Sequence, residues 1–172
     1  DGAVMNVRKV GKLSQAPAMR FWGGGNELFV TSGGQLSVYN AGNGRAFDPS
    51  GDARNQGIQY VRSGASTQTF SVSGEGSAID IISDFGPAVD IDGVGQSYIE
   101  LSDQASFVAR GNTYSKAGSI FHSHNVEFIT DNPLFYDFAN TRVGGGLVFK
   151  TQYKSNYISK NSDLAVWKIG DD

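Results

Sequence analysis

The chain has no cysteine in 172 residues. Thiol catalysis is excluded, and so is a disulfide framework of the kind that staples small secreted domains. Packing, oligomerisation or metal must hold the fold instead. No run of eighteen apolar residues occurs, so no helical membrane span is expected. Proline is limited to four residues and charged residues to 18%. That composition is not one of a disordered chain. Basic residues are not in excess: the net charge is −3 and the pI is near 5.3. No basic stripe runs along the chain, which argues against nucleic acid as a partner. The local exception is Arg8, Lys9, Lys12 and Arg20, read as an exposed basic strand or arm. No signal peptide is visible. A start at Asp1 rather than Met suggests a fragment of a longer polypeptide or a processed chain.

Catalytic signatures are missing as well. The chain has no Gly-x-Ser-x-Gly, no phosphate-binding Gly-x-x-x-x-Gly-Lys-Ser/Thr and no His-Glu-x-x-His. No segment carries an apolar i, i+3, i+4, i+7 pattern over three turns, so little helix is expected.

What is abundant is glycine, 23 of 172 residues, close to twice the usual share of about 7%. The glycines separate β-branched and aromatic runs, where turns with positive φ belong. Between Thr69 and Thr113 the runs recur about every ten residues: Phe70/Val72, Ile79/Ile81, Val89/Ile91 and Ile99/Leu101. Period-two alternation predicts half-buried strands, and constant spacing predicts one unit laid down repeatedly. If each beat is a stacked coil, Asp80, Asp90 and Glu100 form a ladder on one face and Ile81, Ile91 and Leu101 on the other. Upstream, Glu27–Thr31 and Gln35–Tyr39 read as strands joined by Ser32-Gly33-Gly34, a hairpin pattern. The polar stretch 40–57 reads as a surface loop.

The expected class is all-β: a parallel β-solenoid or an intertwined trimeric β-structure, with a possible β-sandwich portion. The expected division is a hairpin or sandwich-like portion with a polar loop over 1–57, followed by a repetitive β portion over 58–172.

Three groups of residues are candidates for chemistry. His122 and His124 are the only histidines. At i and i+2 on a strand they share a face, roughly 7 Å apart. Imidazole suits iron or zinc, but two ligands do not close a site. Three chains around a three-fold axis would supply six; the plainer alternative is a solvent-facing pair. Asp80, Asp90, Asp92 and Glu100 are the carboxylates of the beat. Paired carboxylates serve polysaccharide cleavage, in a glycoside hydrolase or a lyase, as well as calcium cages. The plainer alternative is a solvated outer face. Asp90-Ile91-Asp92-Gly93 fails as an EF-hand loop, because Val94 and Leu101 stand where oxygen donors are required. Third, Trp22, Tyr136, Tyr153 and Tyr157 are candidates for stacking on sugar rings, against a plainer role in strand packing.

Glycine-rich turns, the lack of cysteine, short β arms on a steady beat and His122-Ser123-His124 together resemble bacteriophage tail fibre, tail spike and appendage proteins. The resemblance implies a homotrimer on a virion or in the extracellular space. It implies recognition of a host-surface glycan or receptor without catalysis, and iron bound by the His-x-His pair on the three-fold axis. The alternatives are an extracellular polysaccharide-degrading β-helix using the carboxylates above, and a spacer or trimerisation segment of a longer spike.

Overall fold

The computed structural model describes residues 2–10, 16–23, 25–42, 55–61, 68–92, 97–111, 120–122, 126–131, 135–138, 142–143, 147–152 and 165–169. All secondary structure among them is strand: β1 (Val4–Lys9), β2 (Met19–Trp22), β3 (Glu27–Thr31), β4 (Gln35–Asn40), β5 (Ile58–Val61), β6 (Gln68–Ser73), β7 (Ala78–Ser83) and β8 (Val89–Asp92). They continue as β9 (Ser97–Ser102), β10 (Ser106–Arg110), β11 (Ile120–His122), β12 (Val126–Asp131), β13 (Phe135–Phe138), β14 (Arg142–Val143), β15 (Leu147–Gln152) and β16 (Ala165–Ile169). The all-β expectation holds.

Every strand pair among the described residues is parallel, and the strands fall into three sheets. Sheet A runs β1-β4-β7-β10-β13, sheet B runs β2-β5-β8-β11-β14, and sheet C runs β3-β6-β9-β12-β15-β16. Up to β14 the chain visits A, B and C in turn, then returns to A beside its previous strand.

The ten-residue beat is therefore one arm of a coil, not a coil. Ala78 pairs with Ser106 and Ser106 with Phe135, so these coils take 28 and 29 residues, while others run from 21 (Val126 to Leu147) to 43 (Gln35 to Ala78). This corrects the ladder. Asp80 lies between Ser37 and Val108 in sheet A, Asp90 between Gln59 and Phe121 in sheet B, and Glu100 between Ser71 and Ile129 in sheet C. Ile81 and Leu101 are buried from sheets A and C, facing one core instead of stacking on each other.

The hairpin is corrected too. Gly34 N donates to Thr31 O at 2.9 Å, and Ser32 and Gly33 both have positive φ, the type I′ signature. Yet β3 pairs with β6 and β4 with β1 and β7. The turn is a corner from sheet C to sheet A. A corner with the same closing hydrogen bond recurs one coil on, at Gly74–Ser77, where Gly76 but not Glu75 has positive φ; the type I′ geometry itself recurs at Ser102–Ala105, where Asp103 and Gln104 have positive φ. The corners stack through backbone bonds: Gln35 N to Ala3 O, Ala78 N to Gly34 O, and Ser106 N to Ser77 O.

The core lies between the three sheets. Leu36, Val38, Ile79, Ile81, Phe107 and Ala109 enter from A; Ile58, Tyr60 and Val89 from B; Val30, Phe70, Val72, Ile99 and Leu101 from C. Aromatic rings cross it. Phe21 stacks on Tyr60 at 4.7 Å within sheet B, Tyr60 meets Phe70 of sheet C edge-on at 4.8 Å, and Phe70 meets Phe107 of sheet A at 6.3 Å. Such contacts add to what area burial alone supplies. At the A-to-B corner Gly57 is tightly enclosed. A Cβ there would lie 2.5 Å from Ile81 Cγ2 and 2.6 Å from the Ala88 carbonyl oxygen. Beside it, Asn40 Nδ2 donates to Gln56 O at 2.7 Å, and Asn40 Oδ1 accepts from Gly42 N at 2.8 Å.

Candidate functional site

The face of sheet B turned away from the core gathers a polar cluster. Side chains alternate along a strand, so Met19 and Phe21 pack inward while Arg20 and Trp22 point out. Register places Arg20 beside Gln59 and Gln59 beside Asp90. The three side chains connect as a relay. Arg20 Nε donates to Gln59 Oε1 at 2.9 Å, and Gln59 Nε2 donates to Asp90 Oδ2 at 3.2 Å. Gln56, from the corner before β5, donates Nε2 to the same Asp90 oxygen at 2.7 Å. Gln56, Gln59 and Asp90 are buried, although their row ends in exposed Arg20. A buried carboxylate is tolerated when amide donors surround it, as these two do.

The relay ends in an exposed pair. Trp22 is 71% exposed, and the Arg20 guanidinium carbon lies 5.9 Å from its ring centroid. That is within cation–π range. A second cation–ring pair stands on sheet A, with Arg8 over Tyr39 at 5.3 Å. The Tyr39 hydroxyl donates to Asp84 Oδ2 at 2.7 Å, and this bond holds its phenol above the usual value. On sheet C Phe29 is exposed, in the register row of Ser71 and Glu100.

The candidates from sequence are thereby dispersed. Asp80, Asp90 and Glu100 stand on three separate sheets. Asp92 shares β8 with Asp90 at i and i+2. Asp80 and Glu100 are half-buried on outward rows, and Asp80 Oδ1 is buried without a hydrogen-bond partner among the described residues. His122 holds the register row of Phe21, Tyr60 and Ile91; His124 lies outside the described residues. Tyr136 holds the row of Leu36, Ile79 and Phe107, while Tyr153 and Tyr157 lie outside the described residues. Among the described residues no three His, Cys, Asp or Glu side chains group to hold a metal, and no helix is long and apolar enough to cross a membrane. Sequence reasoning singled out Trp22 for sugar stacking and Asp90 as a carboxylate of the beat, and did not single out Gln56, Gln59 or the place of Arg20 in their row. A signal for Gln59 was present: a polar residue between Ile58 and Tyr60 in a strand-like run.

No protein-family model, no curated protein and no solved structure matches the chain.

Proposed function

We propose that this chain is a non-enzymatic β-solenoid module of an extracellular or virion appendage, of the tail-fibre or tail-spike kind, that recognises a host-surface glycan. One observation carries the reading. Arg20 and Trp22 stand exposed on a stacked sheet, and the guanidinium is held from behind by buried Gln59 and Asp90. A flat ring beside a fixed hydrogen-bond donor is a platform for a sugar. A rigid sheet keeps that platform in place more tightly than a loop would.

The alternative of a polysaccharide-degrading enzyme is disfavoured. Paired-carboxylate chemistry needs two acids about 5–10 Å apart across an open cleft. Asp80, Asp90 and Glu100 belong to three sheets; Asp92 stands near Asp90 on β8, but Asp90 is buried and both amides that meet it donate to its Oδ2, so it does not face an open cleft. A homotrimer, with iron or zinc on its axis, is in this reading an assembly state and not a condition for folding, because one chain already supplies a core from three sides.

The test is a glycan array run with the intact chain and with Trp22→Ala. Binding to a defined set of glycans, weakened at least tenfold in the variant, is expected. A blank array would overturn the recognition reading and favour a spacer. New reducing ends on incubation with polysaccharide would favour the enzyme. Light scattering with metal analysis on the same sample tests the trimer and its ion together.

A further inference from the structure

Resting on that glycan-recognition reading, we infer that the Arg20–Trp22 site takes a carboxylated sugar, a uronic or sialic acid class of residue, in preference to a neutral one. The argument begins with donor count. A guanidinium has five N–H donors in a planar fork. Arg20 uses its Nε on Gln59. Its two Nη groups have no hydrogen-bond partner among the described residues, and the side chain is exposed. What remains outward is the Nη1–Nη2 edge, which matches the two oxygens of a planar carboxylate.

The second element is preorganisation. The Gln59 amide is not free to turn. Its Nε2 is committed to Asp90, so its Oε1 faces Arg20. Asp90 is in turn held by Gln56. All three lie within 5% of full burial. A surface arginine ordinarily loses rotamer freedom on binding an anion, and here part of that cost is met before the ligand arrives. The third element is Trp22, whose exposed indole offers an apolar surface to the C–H face of a pyranose. Stacking and a fork bond close together select a ring that carries its own carboxylate.

A single-stranded nucleic acid also combines stacking with an anion. The chain's net charge of −3 disfavours it, since such binding draws on many cations along a backbone.

The experiment is calorimetry on the full chain at low salt, with trigalacturonate, its fully methyl-esterified form and a dT10 oligonucleotide as probes. The ester keeps the rings and removes the charge. The acid is expected to bind about tenfold tighter than the ester, in keeping with one charge-assisted bond pair. Arg20→Lys keeps the charge but not the fork and is expected to abolish that preference. Trp22→Ala is expected to weaken acid and ester alike. Thermal melts of both variants confirm that the fold is intact. Equal binding of acid and ester, or a preference that survives Arg20→Lys, overturns the inference and leaves glycan recognition standing. Binding of dT10 in place of the sugars overturns it in favour of nucleic acid. Binding of none of the three overturns it as well, and the array then decides the broader reading independently.

Discussion

Tyr60 combines two features that rarely coexist in a core. It is fully buried between Phe21 and Phe70, and its hydroxyl has no hydrogen-bond partner among the described residues. Burial pushes its phenol far above the ordinary tyrosine value. The sign of the linkage follows. Above about pH 10 the unfolded tyrosine loses its proton while the folded one keeps it, so the unfolded state binds fewer protons and stability falls as pH rises. Tyr60→Phe removes both the unsatisfied hydroxyl and the titration. We expect an unchanged or higher Tm at pH 7 and a clearly shallower loss between pH 9 and 11. A Tm more than a few degrees lower at pH 7 would mean that the hydroxyl is satisfied. Asp90 teaches the complementary lesson. From sequence it belongs to a solvated carboxylate face, but its environment is set by Gln59, 31 residues earlier, and by Gln56. No local pattern encodes a partner reached through a coil, so only half of the candidate site was legible.

Strands were the most legible elements. Glu27–Thr31 is read identically from sequence and structure, and Gln35–Tyr39 differs by one residue. The inward members of the apolar pairs are core residues wherever their side chains are described. Connections were not legible, for a physical reason. A type I′ turn suits a two-stranded hairpin, and nothing in Ser32-Gly33-Gly34 tells that use from a corner. The choice is made by neighbouring coils, which offer β3 and β4 parallel partners over five and six residues. The corner still depends on its glycine. Gly33 has φ +76° and donates its N–H to Ser77 Oγ at 3.0 Å. Gly33→Ala is expected to cost about 1–2 kcal/mol, because a Cβ in that conformation crowds the following carbonyl. Urea midpoints measure it. A loss below about 0.3 kcal/mol would mean that the corner relaxes freely.

At the scale of the whole molecule, most strands pair in parallel with the strands three places earlier and later in the chain, and the proposed solenoid would share stability between such neighbours. Between β7 and β10 the three sheets advance by a tight circuit of 28 residues, with little chain beyond the arms and corners. Removing ten residues removes one arm, so every later strand would arrive at the wrong sheet and meet a corner where an arm belongs. Removing residues 78–105 removes one entire circuit and brings Ser106 to the place Ala78 occupied beside Gln35, with Leu36 then facing Phe107. We expect the 28-residue deletion to fold cooperatively, at a lower urea midpoint, and a deletion of 83–92 to leave no cooperative transition. Equal behaviour of the two would show that the circuits do not act as units. For this chain, then, a deletion is tolerated according to whether it keeps the order in which the three sheets are visited. A lineage carrying it would vary in length at the links between arms, where circuits already run from 21 residues (Val126 to Leu147) to 43 (Gln35 to Ala78), while the order of the three sheets stays fixed.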